Sequence, residues 1–240
     1  MIKLSVIVPC YNEEKRFHGG FDHYYSFLTK QKHSWELIFV NDGSKDKTLK
    51  LMKEKSKGKK NIRILSLKAN RGKGAAIVEG IKAAKGQIVL FTDLDHSVPI
   101  KTVESFFKYF EKGEKVVIGS RRIKGSKILV HQPILRETLG RGFTFLVNVL
   151  IKWGIKDSTC GFKAFENKTA QKIFDKITVY DWAFDAEIIF IASKLGINVH
   201  QAPVAWSDVS GSQVRLKKDL ARSLFGLFKI RLNDLQGKYS

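Results

Sequence analysis

Short apolar runs alternate with helical stretches through the first half of the chain. Residues 4–8, 36–40, 62–67, 88–91 and 116–118 are rich in Val, Ile, Leu and Phe and read as strands. Residues 17–30, 46–57, 74–84 and 100–111 lie between them and read as helices. This repetition predicts an α/β fold with a mostly parallel sheet covered on both faces. Ligands of such sheets sit beyond the carboxyl ends of the strands. Three polar turns fall there: Tyr11-Asn12-Glu13 after the first run, Asn41-Asp42-Gly43-Ser44 after the second, and Asp93-Leu94-Asp95 after the fourth.

The second half changes character at Gly119-Ser120-Arg121-Arg122. Residues 133–153 form an apolar segment punctuated by Arg136, Glu137, Arg141 and Lys152, which suits a core helix and equally a helix lying in a headgroup boundary. A strand at 162–165, a helix near 183–194 and a strand at 198–201 follow, and then a basic amphipathic tail over 214–235. In that tail Arg215, Lys217, Lys218, Arg222, Lys229 and Arg231 interleave with leucines and phenylalanines. Docking on an anionic membrane, packing on the domain and oligomer formation all fit this pattern.

Composition narrows the classes. The 240 residues suffice for one large α/β domain, and 43 Lys+Arg against 23 Asp+Glu give a formal charge of +20. That charge attracts polyanions: nucleic acid, an anionic membrane or phosphorylated substrates. No helix-turn-helix, zinc or stacking-aromatic motif supports nucleic acid, and the lysine-rich residues 45–60 read as a solvated helix face. Cys10 and Cys160 are far apart and lack metal-ligand spacing, which fits a reducing cytoplasm. No signal-peptide pattern and no run of roughly 18 to 20 apolar residues is present, so lipid would be met from one side. No Gly-x-Gly-x-x-Gly follows the first strand, which argues against a dinucleotide-dependent oxidoreductase. The histidines form no ligand spacing, and His96 stands apart only because it follows the aspartate pair.

Asp93 and Asp95 are the centre of the chemistry. A strand carries i and i+2 on one face, so both carboxylates can meet one hard divalent cation and the phosphates it holds. They are too close for a glycoside-hydrolase acid/base couple, which needs about 5 Å or more with a sugar between.

With these positions in hand, the sequence resembles the family-2 glycosyltransferases of the GT-A fold, in the branch of polyprenyl-phosphate glycosyl synthases. Ser5-Val6-Ile7-Val8-Pro9-Cys10-Tyr11-Asn12-Glu13-Glu14 looks like the family's opening strand and turn. Val40-Asn41-Asp42-Gly43-Ser44 looks like its second, Asn70-Arg71-Gly72-Lys73-Gly74 like the segment before its third helix, and Thr92-Asp93-Leu94-Asp95 like its metal-binding motif. Gly119-Ser120-Arg121, Asp157-Ser158-Thr159-Cys160-Gly161-Phe162-Lys163-Ala164-Phe165 and Trp182-Ala183-Phe184-Asp185-Ala186-Glu187 are most similar to dolichyl-phosphate β-glucosyltransferases. Mannosyl relatives usually carry a Gln soon after the aspartates, where this chain has His96-Ser97-Val98-Pro99.

The resemblance implies a single GT-A domain over 1–240, with a nucleotide-binding half (1–120) and an acceptor- and membrane-facing half (121–240). It implies inverting, metal-dependent transfer of glucose from UDP-glucose to a dolichyl or polyprenyl phosphate, with mannosyl transfer from GDP-mannose, or transfer from another sugar nucleotide, as the alternative. Pro9, Tyr11, Glu13, Asp42, Gly72, Lys73 and Asp93 would hold the nucleotide, with Asp42 on the base. Asp93 and Asp95 would hold Mg²⁺ or Mn²⁺. Arg121, Arg122, Arg136, Arg141, Lys163 and Ser212 would hold the acceptor, with Arg121 and Lys163 counted among the catalytic groups. Asp185 and Glu187 are candidates for sugar hydroxyls or arginines, with helix capping equally open to Asp185. Eukaryotic glucosyl members carry a membrane anchor, so attachment here is expected from surface helices. The expected location is peripheral, on the cytoplasmic face of a membrane, and an oligomer is compatible.

Overall fold

A computed structural model describes residues 2–152, 154–181, 183–209 and 216–239, with the side chains of 216–221 outside that description. Its elements run β1 (Leu4–Cys10), α1 (Phe17–Leu28), β2 (Trp35–Asn41), α2 (Thr48–Ser56), β3 (Ile62–Ser66), α3 (Lys73–Ala83), β4 (Ile88–Phe91), α4 (Thr102–Glu111) and β5 (Val116–Ser120). There follow β6 (Lys127–Val130), α5 (Ile134–Leu150), β7 (Lys163–Glu166), α6 (Asn167–Phe174), α7 (Phe184–Lys194), β8 (Val199–Pro203), β9 (Ala205–Ser207) and α8 (Leu216–Leu235).

Seven strands form one sheet in the order β3-β2-β1-β4-β7-β5-β8. All neighbours are parallel except β7, which runs antiparallel to both β4 and β5. The strands are buried on both faces, and alternation assigns each residue to a layer. Val6, Val8, Leu37 and Phe39 face the layer of α1, α2 and α4, whereas Ile7, Ile38 and Val40 face that of α3, α5, α6, α7 and α8. Helix α1 lies along the sheet because Phe17, Phe21, Tyr24 and Leu28 form one buried stripe, with the Phe21 ring stacked on Phe39 at 5.7 Å.

Strand order reverses between β1 and β4, which opens a crevice at their carboxyl ends. Pro9 is tolerated late in β1 because β4 pairs with that strand only as far as Ile7, so no ladder bond to β4 is lost. The antiparallel β7 starts at this same edge, since Lys163 lies opposite Phe91 at the end of β4. The loop before β7 is thereby delivered to the crevice. A second, two-stranded sheet of β6 and β9 stands beside it.

Candidate active site

The turns after β1 and β2 are laced together. The amide of Asn12 donates to Ser44 Oγ (3.0 Å), that of Glu13 to Thr48 Oγ1 (2.7 Å) and that of Lys45 to Asn12 Oδ1 (2.9 Å). Asn12 takes a left-handed backbone (φ 52°), a conformation asparagine tolerates better than most residues. Asp42 spends both carboxylate oxygens on the next turn, accepting from Arg71 N (2.8 Å), Gly72 N (2.9 Å) and Asn70 Nδ2 (2.9 Å). It is 2% exposed. In this arrangement the carboxylate shapes the turn that precedes α3.

Gly72 sits at φ 98° with the Tyr180 carbonyl 2.5 Å from where a Cβ would lie, so the turn has no room for a side chain. Lys73 opens α3 and places its Nζ 2.5 Å from Asp93 Oδ1. Burial presses the Lys73 ammonium down, yet Asp93 and Asp185 outweigh it and leave its pKa raised. Asp93 itself is raised by burial, against the pull of Lys73 and with the help of Asp95. Gly161 leaves space for the Asp93 carboxylate, since a Cβ there would collide with Oδ2. Tyr24, from the buried stripe of α1, donates its hydroxyl to the Asp93 carbonyl and so ties the core to the strand end.

Asp95 is held differently. Among the described residues only Ser97 donates to it, through its amide (3.0 Å) and hydroxyl (2.7 Å), and both bonds go to Oδ1. Nearby, Glu13 accepts from Arg16 Nε (2.8 Å) and Nη2 (2.7 Å). Burial raises the Glu13 pKa, and Asp95 and Asp93 add to that rise. Arg16 was not among the expected site residues. The i, i+3 spacing of Glu13 and Arg16 was the available signal.

A second group of residues builds a cavity of about 520 Å³ beyond β5. Arg121 donates from its amide (3.0 Å) and Nε (2.7 Å) to Asp157 Oδ2, and from Nη2 to Asp157 Oδ1 (2.8 Å) and Thr159 Oγ1 (2.9 Å). Its guanidinium lies 5.2 Å from the Trp206 ring of β9. Burial alone would push Asp157 up, but Arg121 holds the carboxyl below its ordinary value. Arg122 and Arg141 line the same cavity, and Ile128, Phe145, Ile155 and Trp206 supply apolar wall. Arg122 has its pKa lowered by burial, with the neighbouring charges of Arg121 and Arg141 adding to the drop and Asp157 opposing it. Such a cluster is relieved by an anion. The loop 157–161 joins the two centres: Asp157 and Thr159 bind Arg121, and Gly161 lies against Asp93.

The model of a family described as "Glycosyl transferase family 2" matches residues 5–174. The chain belongs to this family. Its resemblance to the dolichyl-phosphate β-glucosyltransferases also stands. The Dictyostelium discoideum protein of that name is 38% identical over 253 residues, covering 96% of this chain and 77% of its own length. The Homo sapiens protein is 35% identical over 225 residues, covering 88% and 69%, and the Saccharomyces cerevisiae protein 34% identical over 256, covering 99% and 77%. Among solved structures, glucosyl-3-phosphoglycerate synthase from Mycobacterium tuberculosis in complex with Mn²⁺, UDP and glucosyl-3-phosphoglycerate aligns with a TM-score of 0.70 at 17% identity, over 95% of this chain and 80% of that one. That likeness establishes the GT-A fold. The protein is thus a glycosyltransferase.

Several expected acceptor residues of this family-2 glycosyltransferase lie elsewhere. Lys163 is fully buried, and its ammonium donates to Asp185 Oδ1 (2.5 Å) and the Cys160 carbonyl (2.7 Å). Lys163 is sealed from solvent, and the charge of its partner Asp185 helps to raise the Lys73 pKa. Arg136 pairs with Asp208 (3.3 Å) and does not line the cavity. Ser212 lies outside the described residues. Among the described residues Asp185 and Glu187 hold no arginine: Asp185 takes Lys163, and Glu187 takes Thr178, Val179 and Tyr239. His96 stacks on His23 at 4.5 Å.

Proposed function

We propose that the protein transfers glucose, with inversion, from UDP-glucose to a dolichyl or other polyprenyl phosphate, while docked on the cytoplasmic face of a membrane. The names of its relatives support the sugar and the lipid. The observation that carries the reading is the cavity, which gathers Arg121, Arg122 and Arg141 at one end of an apolar wall and connects through loop 157–161 to Asp93. An anionic head with a greasy tail fits such a space.

The donor edge fits a divalent cation. Two hard carboxylates are few for a dedicated cage, and among the described residues no cluster of three or more ligating side chains exists. That suits Mg²⁺ or Mn²⁺ completed by substrate phosphates and water. Asp95, with Oδ2 unbonded by Ser97, would hold the ion directly, and Asp93 would share its charge between the ion and Lys73. A divalent ion held there by Asp95 and Asp93 would supply positive charge against the departing diphosphate. Lys73 offers a second cation at the same place. The acceptor phosphate carries about 1.5 to 2 negative charges near neutral pH, so its oxygen attacks C1 without a general base. The bond from C1 to the acceptor oxygen forms as the bond from C1 to the UDP oxygen breaks, and UDP departs with the electron pair. Bringing two anions together is the work of the arginines.

Among the described residues no helix is long and apolar enough to cross a membrane. Helices α5 and α8 pack on each other and turn Ile134, Leu135 and Phe145 of the one and Phe225, Phe228 and Leu235 of the other outward. Phe145 is 62% exposed and also lines the cavity, so the wall continues into the outer patch. Arg222, Lys229 and Arg231 are exposed on α8 and suit anionic headgroups. The decisive experiment supplies Mg²⁺ or Mn²⁺, a polyprenyl phosphate and a panel of sugar nucleotides, and weighs the glycolipid formed. A hexosyl lipid phosphate made from UDP-glucose is expected. Preference for GDP-mannose, or no transfer to the lipid phosphate, would overturn the proposal.

A further inference from the structure

The end of the chain reaches back to the donor edge. Glu187, fully buried on α7, accepts from the Thr178 amide (3.0 Å) and hydroxyl (2.6 Å), the Val179 amide (2.8 Å) and the Tyr239 hydroxyl (2.5 Å). Asn233 of α8 adds a bond from Nδ2 to Thr178 Oγ1 (2.7 Å). Three separate parts of the chain therefore converge on Thr178 and Val179. The next residue, Tyr180, accepts the Gly74 amide on its carbonyl (3.0 Å), and that same carbonyl closes on Gly72. Its ring lies 5.5 Å from the Arg71 guanidinium. Beyond Gly72 comes Lys73, bonded to Asp93. Helix α8 also presses Gly226 directly on Ala183, three residues past Tyr180.

A buried carboxylate is costly unless every bond it needs is supplied. Here a hydroxyl from the chain's last turn and the amides of a loop supply them, and an apolar residue would pack more cheaply if filling space were the only task. We infer that Glu187 and Tyr239 are positioning residues for the donor: they fix Tyr180, against which the turn at Gly72 and Lys73 is set. This rests on the reading of that edge as the nucleotide site. Neither residue touches substrate. The latch joins the donor turn to α8, the helix whose outer face carries Phe225 and Phe228, so seating of that helix and grip on the donor are parts of one connected element.

Tyr239→Phe tests this, because it removes one hydroxyl and keeps the ring that packs on Phe190 at 5.4 Å. Two measurements are made: calorimetric titration with UDP and Mn²⁺, and steady-state kinetics with donor and lipid phosphate varied in turn. UDP affinity is expected to fall about tenfold and donor KM to rise alike, with acceptor KM within about twofold of the native value, the scale of losing one hydrogen bond to a charged group. Glu187→Gln, which keeps an acceptor oxygen for the Val179 amide, is expected to lose less than Glu187→Ala. Unchanged UDP affinity in Tyr239→Phe, or equal losses toward donor and acceptor, would overturn the latch and leave the proposed reaction standing. A native protein that binds no nucleoside diphosphate would overturn both.

Discussion

Lys73 Nζ lies 2.5 Å from Asp93 Oδ1, whereas Asp95 receives only Ser97 among the described residues. The two carboxylates of one motif thus have different electrostatic partners. Asp95→Asn is expected to cut kcat/KM at least about a hundredfold, because the amide is a poor ligand for a hard cation. The fold should survive, since Asp95 is only half-buried and its bonds to Ser97 can be kept by the amide oxygen. Turnover assays and a melting curve check both halves, and near-native turnover would remove the metal role.

Arg121 is expected to be costly to truncate for a reason unrelated to turnover. Its side chain supplies two of the donors that make burial of Asp157 tolerable, and Arg121→Ala leaves that carboxylate without its counter-charge, with the backbone amide of residue 121 still donating. A loss of about 3–5 kcal/mol in unfolding free energy is expected, read by denaturant titration.

Arg122 and Arg141 test the acceptor end more cleanly. Arg141 is exposed and, among the described residues, bonded only to Glu137, one turn away, and Arg122 donates to Thr144 Oγ1 (3.1 Å). Each change to Ala is expected to raise the KM for lipid phosphate about tenfold, or about 1.4 kcal/mol, and to leave the KM for the sugar nucleotide alone. Equal effects on both substrates would place the acceptor elsewhere.

Acid should weaken the fold through His23. Its Nε2 accepts the Ile100 amide (3.2 Å), and burial, with His96 adding, lowers its pKa to about 4 from 6.5. Between those values the unfolded chain takes a proton that the native imidazole refuses, so stability present above pH 6.5 is lost as the pH falls toward 4. His23→Gln should flatten the melting temperature across that window. An unchanged slope would assign the acid sensitivity to another group.

The outer faces of Phe225 and Phe228 are 71% and 63% exposed. Replacing both with Ser should leave the melting temperature close to native while lowering sedimentation with vesicles rich in anionic lipid. Burying a phenylalanine contributes about 1.5–3 kcal/mol, so partitioning should drop at least about a hundredfold. Undiminished binding by the variant would remove α8 from the docking face.

Much of the fold was legible because strands buried on both faces leave nearly continuous apolar runs, as in β1, β2 and β4. Direction was not legible: Lys163–Glu166 reads as one more strand, and nothing in its composition says that it runs against β4. Helix α6 escaped notice because its polar residues hide the buried Thr169, Ala170, Ile173 and Phe174, whose spacing is helical. Strands β6 and β9 are short and sit apart from the main sheet, where the apolar pattern is weakest. At the site, the turns at the ends of β1, β2 and β4 were readable from sheet logic. The fates of Lys163 and Asp42 were not, because partners far along the chain, Asp185 in one case and the turn at 70–72 in the other, decide whether a charged group faces solvent.

Strand β5 ends the first half of the chain, yet among the described residues it pairs only with β7 and β8, both drawn from the second. As the polypeptide leaves the ribosome, β4 and β5 therefore wait with bare edges until residues 163–166 arrive to bridge them. A fragment stopped at residue 120 would display those edges to other copies of itself, and would be expected to clump rather than to behave as a free-standing nucleotide-binding unit.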